Sequence, residues 1–349
     1  MGWESGARAG QRGPCPRRVP SLYGVTVIPS RGGWSRPYVV TLLVTLLLGC
    51  ASACAADPTA EQAEALRVAA EDYFAAQDLV VASSGKVKER PSNVVVTISL
   101  APETSAEEAL TLINDAQVDL ADEMAVAIVT GLQVVVEWTV QGTPLNWPTT
   151  LDPRLDRDKD RLALDFAVSR TGPTVEKIDI SPRNVEVYRG EHDQFPPETV
   201  DTSAPSELPP GVSYSQFLTV HGWLLQISLD SGEDLSAVPL AEVTACEAQS
   251  DSGRRGYIDV SAVEQHVSLR VHGMSGGLES SSTTSILRVM DSCTGVADRL
   301  VLSSFTEEDL GVMAYACSQG SLTPDADYYS PNNNLPLADR MLQEARSGQ

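Results

Sequence analysis

Short segments in which apolar and polar residues alternate recur along the chain and constrain its fold more than any other feature. Val94 to Leu100 and Leu132 to Val140 place an apolar residue at every second position, which is the pattern of a strand with one buried face. Between them, Thr104-Ser105-Ala106-Glu107 is a capping box that predicts the start of a helix. This order predicts an α+β fold in which helices cover one face of an antiparallel sheet.

The distribution of prolines predicts two small domains. A first α+β domain is expected over residues 59–190 and a Pro-rich linker over 191–212, where five prolines interrupt any periodicity. The pattern βαββαβ over residues 213–320 predicts a second α+β domain with a ferredoxin-like arrangement. Residues 321–349 are expected to form a polar tail, apart from the folded domains.

Three local predictions complete this scheme. The alternation of Leu162, Leu164, Phe166 and Val168 predicts a strand. Residues 142–161 have turn character, and residues 306–318 are expected to form a capped helix.

The N-terminal part of the chain has the pattern of a targeting signal. Arg36 precedes the apolar run Tyr38 to Leu48, which is shorter than the ~20 residues that a spanning helix needs. The segment Leu47-Leu48-Gly49-Cys50 resembles the lipobox of bacterial lipoprotein precursors, here of the GC-rich, actinobacterial type. The resemblance implies that residues 1–49 are removed, that Cys50 receives lipid, and that residues 50–58 tether the protein to the outer face of the cytoplasmic membrane.

Two alternatives to the lipid anchor remain open. Ala51-Ser52-Ala53 fits an ordinary cleavage site that would release a secreted protein beginning at Cys54. The apolar run could also stay uncleaved as an anchor. Because residues 1–35 are long for a signal peptide, we expect the true start to lie near Val25 or Val27.

The charge of the chain excludes one class of partner. It has 47 acidic and 25 basic residues, a net charge of −22. Nucleic-acid binding requires a basic surface, so no nucleic-acid partner is expected. The expected partners are the membrane, through the lipid anchor, and another envelope protein.

One serine motif suggests catalysis but lacks its base. Gly273-Met274-Ser275-Gly276-Gly277 matches the G-x-S-x-G pattern of a nucleophile elbow, whose histidine follows the serine in sequence. The last histidine of the chain is His272, so the segment is interpreted as a turn and no catalytic residue is predicted.

No metal or cofactor site is predicted either. Asp156, Asp158 and Asp160 are spaced like the start of a calcium loop. Arg161 and Ala167 occupy the positions where that loop needs Gly and Glu, so these residues are interpreted as a charged turn.

Two sets of residues remain as candidates for a site. His266, Ser268, Arg270 and His272 fall on one face of a predicted strand and form a possible binding face, with Arg270 as the main contact. Cys293 and Cys317 form a possible disulfide that would leave Cys246 unpaired.

The sequence therefore predicts a lipid-anchored extracytoplasmic protein with a binding or scaffolding role and no catalysis. A first alternative is an accessory or substrate-binding component of a membrane transporter or sensor, with Trp138, Trp147 or Trp223 in an interdomain cleft. A second alternative is a secreted hydrolase that uses Ser275.

Overall fold

The β-strands lie side by side in the order in which they follow one another along the chain. A computed structural model describes residues 60–88, 93–127, 132–152, 157–246, 256–263, 266–273, 277–304 and 311–348. Within these ranges, the strands are β1 Val80–Val87, β2 Val94–Leu100, β3 Leu132–Val140, β4 Thr143–Leu151, β5 Val175–Ser181, β6 Asn184–His192, β7 Ser213–Val220, β8 Trp223–Leu229, β9 Gly256–Val263, β10 His266–His272, β11 Arg299–Ser303, β12 Val312–Ser318 and β13 Ser321–Pro324. The helices in the same ranges are α1 Ala60–Ala75, α2 Ala106–Asp119, α3 Ala121–Val126, α4 Asp158–Ser169, α5 Leu240–Ala245, α6 Ser281–Met290 and α7 Leu335–Ser347.

The chain repeats one unit, a crossover followed by a β-hairpin. Strands within each hairpin are antiparallel, whereas the last strand of one hairpin and the first strand of the next are parallel. A parallel pair needs a crossover between its strands, and helices supply most of these crossovers. The hairpins begin at Val80, Leu132, Val175, Ser213, Gly256 and Arg299. Within the described ranges, the regular alternation of the sequence thus reflects six successive copies of one structural unit.

One face of the sheet, the buried face, is apolar across its width. Val136 lies opposite Trp147, and Ile227 lies opposite Val260; all four side chains are fully buried. The same apolar core includes helix side chains of Leu66, Phe74, Ile113, Phe166, Ile286 and Met341. The alternate residues of the strands form the other face, called the open face.

The predicted two-domain fold is wrong. β6 and β7 pair in parallel from Asn184 opposite Ser213 to His192 opposite Val220, so one mixed sheet continues across the Pro-rich segment. The second half is not a ferredoxin-like domain, because β8, its expected first strand, also pairs with β7. Alternation identifies the residues that face a core but does not specify which strands are neighbours.

The Pro-rich segment crosses the buried face in place of a helix. Its prolines exclude a regular helix, yet Val200, Leu208 and Val212 are buried. Gln216 of β7 is fully buried, and its Nε2 donates to the carbonyl oxygen of Asp201 at 2.6 Å while its Oε1 accepts from the Asp201 N–H at 3.0 Å. Both polar atoms of the buried amide are therefore satisfied by the backbone that covers it.

Four local predictions also differ from the structure. Residues 162–168 belong to helix α4, whose buried Asp160, Ala163, Leu164 and Ala167 follow helical spacing. Residues 143–151 of the expected turn form β4, and residues 312–318 of the expected helix form β12. The expected polar tail contains β13 and α7, which buries Ala338, Met341, Leu342 and Ala345.

Gly256 allows β9 to pass directly beside a buried indole. A Cβ atom at this position would overlap with Cε3 and Cζ3 of Trp223. The Trp223 ring is fully buried, and its Nε1 donates to the carbonyl oxygen of Cys246 at 3.0 Å. The ring therefore has no free space in which to move away.

We expect Gly256→Ala to lower the free energy of unfolding by about 1–3 kcal/mol, because the added methyl group overpacks the core. The measurement is urea unfolding followed by circular dichroism. Gly172→Ala is the matched control, since a Cβ there meets nothing within 4 Å, and its effect should stay within about 0.5 kcal/mol. Equal effects of the two substitutions would contradict the proposed clash.

Candidate binding face

Side chains on the open face line up in two rows that run across the strands. The acid–serine row consists of successive register partners from β2 to β10: Ser99, Glu137, Asn146, Asp179, Glu186, Ser215, Ser228, Ser261 and Ser268. The aromatic row lies beside it from β5 to β10: Lys177, Tyr188, Phe217, Gln226, Asp259 and Arg270. Neighbouring strands are about 4.8 Å apart, so successive members of a row lie within reach of one another.

The aromatic row is held together by stacking. The rings of Tyr188 and Phe217 are nearly parallel, with centroids 4.9 Å apart, and Nζ of Lys177 lies 4.4 Å from the Tyr188 centroid. Lys177 and Phe217 come from the strands on either side of β6, so they contact opposite faces of the Tyr188 ring. The row therefore presents the edges of its stacked side chains at the surface of the open face.

Two carboxylates of the acid–serine row face each other directly. Asp179 is the register partner of Glu186, an arrangement that is destabilising for like charges. Four donors offset the repulsion. Lys177 Nζ lies 2.6 Å from Asp179 Oδ2, and Asn146 Nδ2 donates to Asp179 Oδ1 at 2.9 Å. Asn184 Nδ2 donates to Glu186 Oε1 at 3.0 Å, and the Tyr188 hydroxyl donates to Glu186 Oε2 at 2.7 Å. Burial and then this bond to Glu186 raise the pKa of Tyr188, so the hydroxyl remains a donor.

A groove of about 490 Å³ crosses the open face from β2 to β5. Its polar lining comes from Ser99, Glu137, Thr139, Asn146, Lys177 and Asp179. Oδ1 of Asn146 is buried and accepts no hydrogen bond from the described chain. Glu137 is exposed. The groove thus has a solvent-facing carboxylate beside an amide oxygen that is buried and unpaired.

The predicted binding residues of β10 lie on the open face at the other end of these rows. Leu269 and Val271 are buried, whereas Ser268, Arg270 and His272 alternate with them. Arg270 is exposed and its guanidinium lies 3.4 Å from Asp259, while His266 is the first residue of the strand. Binding at these residues stays a prediction.

His272 connects β10 to its two neighbouring strands. Its ring stacks on Tyr257 of β9 with centroids 5.8 Å apart, and its Nδ1 hydrogen-bonds to Oγ of Ser303 in β11. Burial, and then the charge of Arg270, lower the pKa of His272.

The serine of the G-x-S-x-G motif cannot be compared with the prediction. Ser275 lies outside the described residues, and the serine in contact with His272 is Ser303. The Ser303 side chain is buried, with 5% of its surface exposed. A hydroxyl in this position connects two strands and offers little access to a substrate.

The predicted charged turn is only partly described. Asp156 lies outside the described residues, but Asp160 is buried and lies 2.7 Å from Arg157 in an ion pair. The described part of the chain contains no group of three or more His, Cys, Asp or Glu residues placed to hold a metal ion.

Cys293 and Cys317 form a disulfide. It joins the segment after α6 to β12, which replaces the terminal helix expected there. The Cys246 thiol is unpaired and half-buried, and burial raises its pKa. Cys50, the predicted lipidation site, lies outside the described residues.

Sequence reasoning missed the groove residues on β2 to β5 and the adjacent Glu186 of β6. The signal was available in part, since Glu137, Asp179 and Glu186 alternate with apolar residues in the same way as the residues of β10. Their alignment into one row could not be predicted from the sequence, because it depends on which strands are neighbours.

No family model, no curated protein and no solved structure matches this chain. Within the described ranges, none of the helices has the length and apolar composition needed to cross a membrane.

We expect Cys293→Ser to lower the free energy of unfolding by about 3 kcal/mol, because the disulfide closes a loop over a sequence separation of 24 residues. Urea unfolding with and without dithiothreitol measures this difference. Cys246→Ser is the control and should leave the dithiothreitol effect intact. An unchanged midpoint in Cys293→Ser would refute the prediction.

We also expect His272 to make stability depend on pH. The pKa of His272 in the folded protein is lowered from 6.5. The contribution of this residue to the free energy of unfolding is therefore present above pH 6.5 and is lost as the pH falls through the folded pKa. Urea unfolding of wild type and His272→Gln is measured at pH 7.5 and 5.0. The difference between the two proteins isolates this contribution, because both have the same Asp and Glu residues. The free energy of unfolding of wild type minus that of His272→Gln should be smaller at pH 5.0 than at pH 7.5. An equal or larger difference at pH 5.0 would contradict the prediction.

Proposed function

We propose that this protein is a lipid-anchored extracytoplasmic binding protein that holds another envelope component against its open face and performs no catalysis. The lipobox-like segment ending at Cys50 supports the anchor and a position on the outer face of the cytoplasmic membrane. The two aligned rows support the recognition surface.

The observation that carries this proposal is the composition of the aromatic row. Solubility alone is served by scattered Lys and Glu side chains. The open face instead aligns aromatic rings, amides and an exposed Arg270 across successive strands. Aromatic residues and Arg are enriched where proteins bind one another, so the composition favours a protein partner.

No observation favours the other two functions. The transporter alternative expects a cleft lined by Trp138, Trp147 or Trp223, but these side chains are at most 4% exposed in the core of one sheet. The hydrolase alternative needs a histidine beside Ser275, which lies outside the described residues.

The test is site-specific photo-crosslinking in the native organism. A photoreactive phenylalanine replaces Pro148 or Arg270, two exposed positions of the open face, or Val118, which is 72% exposed on α2. We expect discrete crosslinked products from positions 148 and 270 and none from position 118. The same products should disappear when Cys50→Ala removes the anchor.

Two results would overturn the proposal. Equal products from position 118 would show that the open face has no special role. Unchanged products in Cys50→Ala would show that the anchor does not place the protein beside its partner.

A further inference from the structure

The sheet has two edges, and each edge strand has a side that no further strand covers. In the described part of the chain, β2 is the only strand that pairs with β1, and β12 is the only strand that pairs with β13. An unpaired edge of this kind is a template for a strand of another molecule. The two edges therefore decide whether copies of this protein can join into a larger sheet.

The edge at β13 is closed by its own chain. Leu322 donates its N–H to Asp291 Oδ1 at 3.3 Å, and its carbonyl oxygen accepts from Arg346 Nη2 at 2.9 Å. Arg346 and Asp291 also form an ion pair at 2.6 Å. Ser292 makes an antiparallel bridge to Ser321, at the start of a strand that is only four residues long. A strand of another molecule would have to displace the ion pair and the bridge together.

The edge at β1 is twice as long, and a carboxylate of α1 reaches it. Gly85 donates its N–H to Oε1 of Glu71, whose Oε2 binds Arg67 one helical turn earlier. A Cβ atom at Gly85 would lie 2.8 Å from Cγ of Arg67 and 3.0 Å from Oε1 of Glu71, so the glycine allows this close approach of the helix. The side chains of Arg67 and Glu71 are only 20% and 25% exposed, and the carboxylate is therefore held in place.

The position of this contact is suited to block strand pairing. The N–H of Gly85 points away from β2, since it binds Glu71. Ser83 and Val87 lie two residues to either side in the same regular register, so their backbone groups point to the same edge. Glu71 thus occupies the middle of three outward positions, in the place that a carbonyl oxygen of a neighbouring strand would take.

We propose that Glu71 closes β1 against a second copy of this protein and keeps the chain a monomer. Pairing of backbone groups needs no particular side chain, and a second copy offers an identical edge. Because β13 is closed separately, β1 of one copy can pair only with β1 of the other, in an isologous contact about a two-fold axis. Removal of the carboxylate therefore produces a dimer and not a fibre.

The test is the molar mass of the full-length protein in detergent, measured by multi-angle light scattering over a range of protein concentrations. Wild type should be a monomer throughout. Glu71→Ala should raise the association constant for dimers at least about tenfold, the effect of one or two additional backbone hydrogen bonds. Glu71→Gln keeps an acceptor oxygen for the N–H of Gly85 and should stay monomeric.

Glu64→Ala is the matched control. Glu64 also forms an ion pair with Arg67, at 2.6 Å and within α1, so this variant removes the same charge from the same helix and leaves the bond from Gly85 to Glu71. It should remain a monomer. Thermal unfolding of each variant, followed by circular dichroism, separates pairing of folded molecules from association of unfolded ones.

A second substitution locates the contact. Ser83→Pro removes an outward N–H of β1 that makes no bond to β2, and proline is tolerated on an edge strand. Added to Glu71→Ala, it should restore the monomer.

Four outcomes would overturn the inference: a dimeric wild type, a folded but monomeric Glu71→Ala, equal dimerisation of Glu64→Ala and Glu71→Ala, or a dimer that Ser83→Pro leaves intact. Fibres in place of a dimer would contradict the closure of β13. The inference uses neither the anchor nor the open face, so the photo-crosslinking result and this one can fail separately.

Discussion

A slip of one residue in any strand pairing would move apolar side chains from the buried face to the open face. This constraint governs the structure, because every strand from β2 to β12 is paired on both sides and depends on two registers at once. The apolar layer that contains Val136 and Trp147 holds β3 and β4 in place. The same register aligns Glu137 with Asn146 on the opposite face. The alignment of polar side chains on the open face is thus a by-product of the packing that stabilises the fold.

Local structure could be predicted where a residue pattern fits only one type of secondary structure. The strands Val94–Leu100 and Leu132–Val140 have the expected bounds, since strict alternation fits only a half-buried strand. Residues 162–168 satisfied both strand and helix spacing, and the helix prevailed because the parallel pair of β4 and β5 requires a crossover. The capping box was also displaced by one residue: Ser105 caps α2 and bonds reciprocally with Glu108.

The arrangement of the strands could not be predicted, and this limited the prediction of the site. Five prolines at 196–210 are the usual sign of a domain boundary. Here the buried amide of Gln216 bonds to Asp201 and keeps that segment on the sheet. The sequence does not show this contact, so β6 and β7 could not be assigned as neighbours from it. Arg270 and His272 were placed on an open strand face from their own strand alone, whereas the row from Glu137 to Glu186 requires four strands in register.

The sequential order of the strands has a consequence for how the chain can reach its folded state. Every strand finds its sheet neighbours immediately before and after it in the sequence, so most loops that must close are short. A chain that emerges from the ribosome N-terminus first can therefore add each new hairpin to an edge that already exists. The disulfide between Cys293 and Cys317 also closes within the last unit. In the described part of the chain, no strand has to stay unpaired and prone to aggregation until a distant segment has been made.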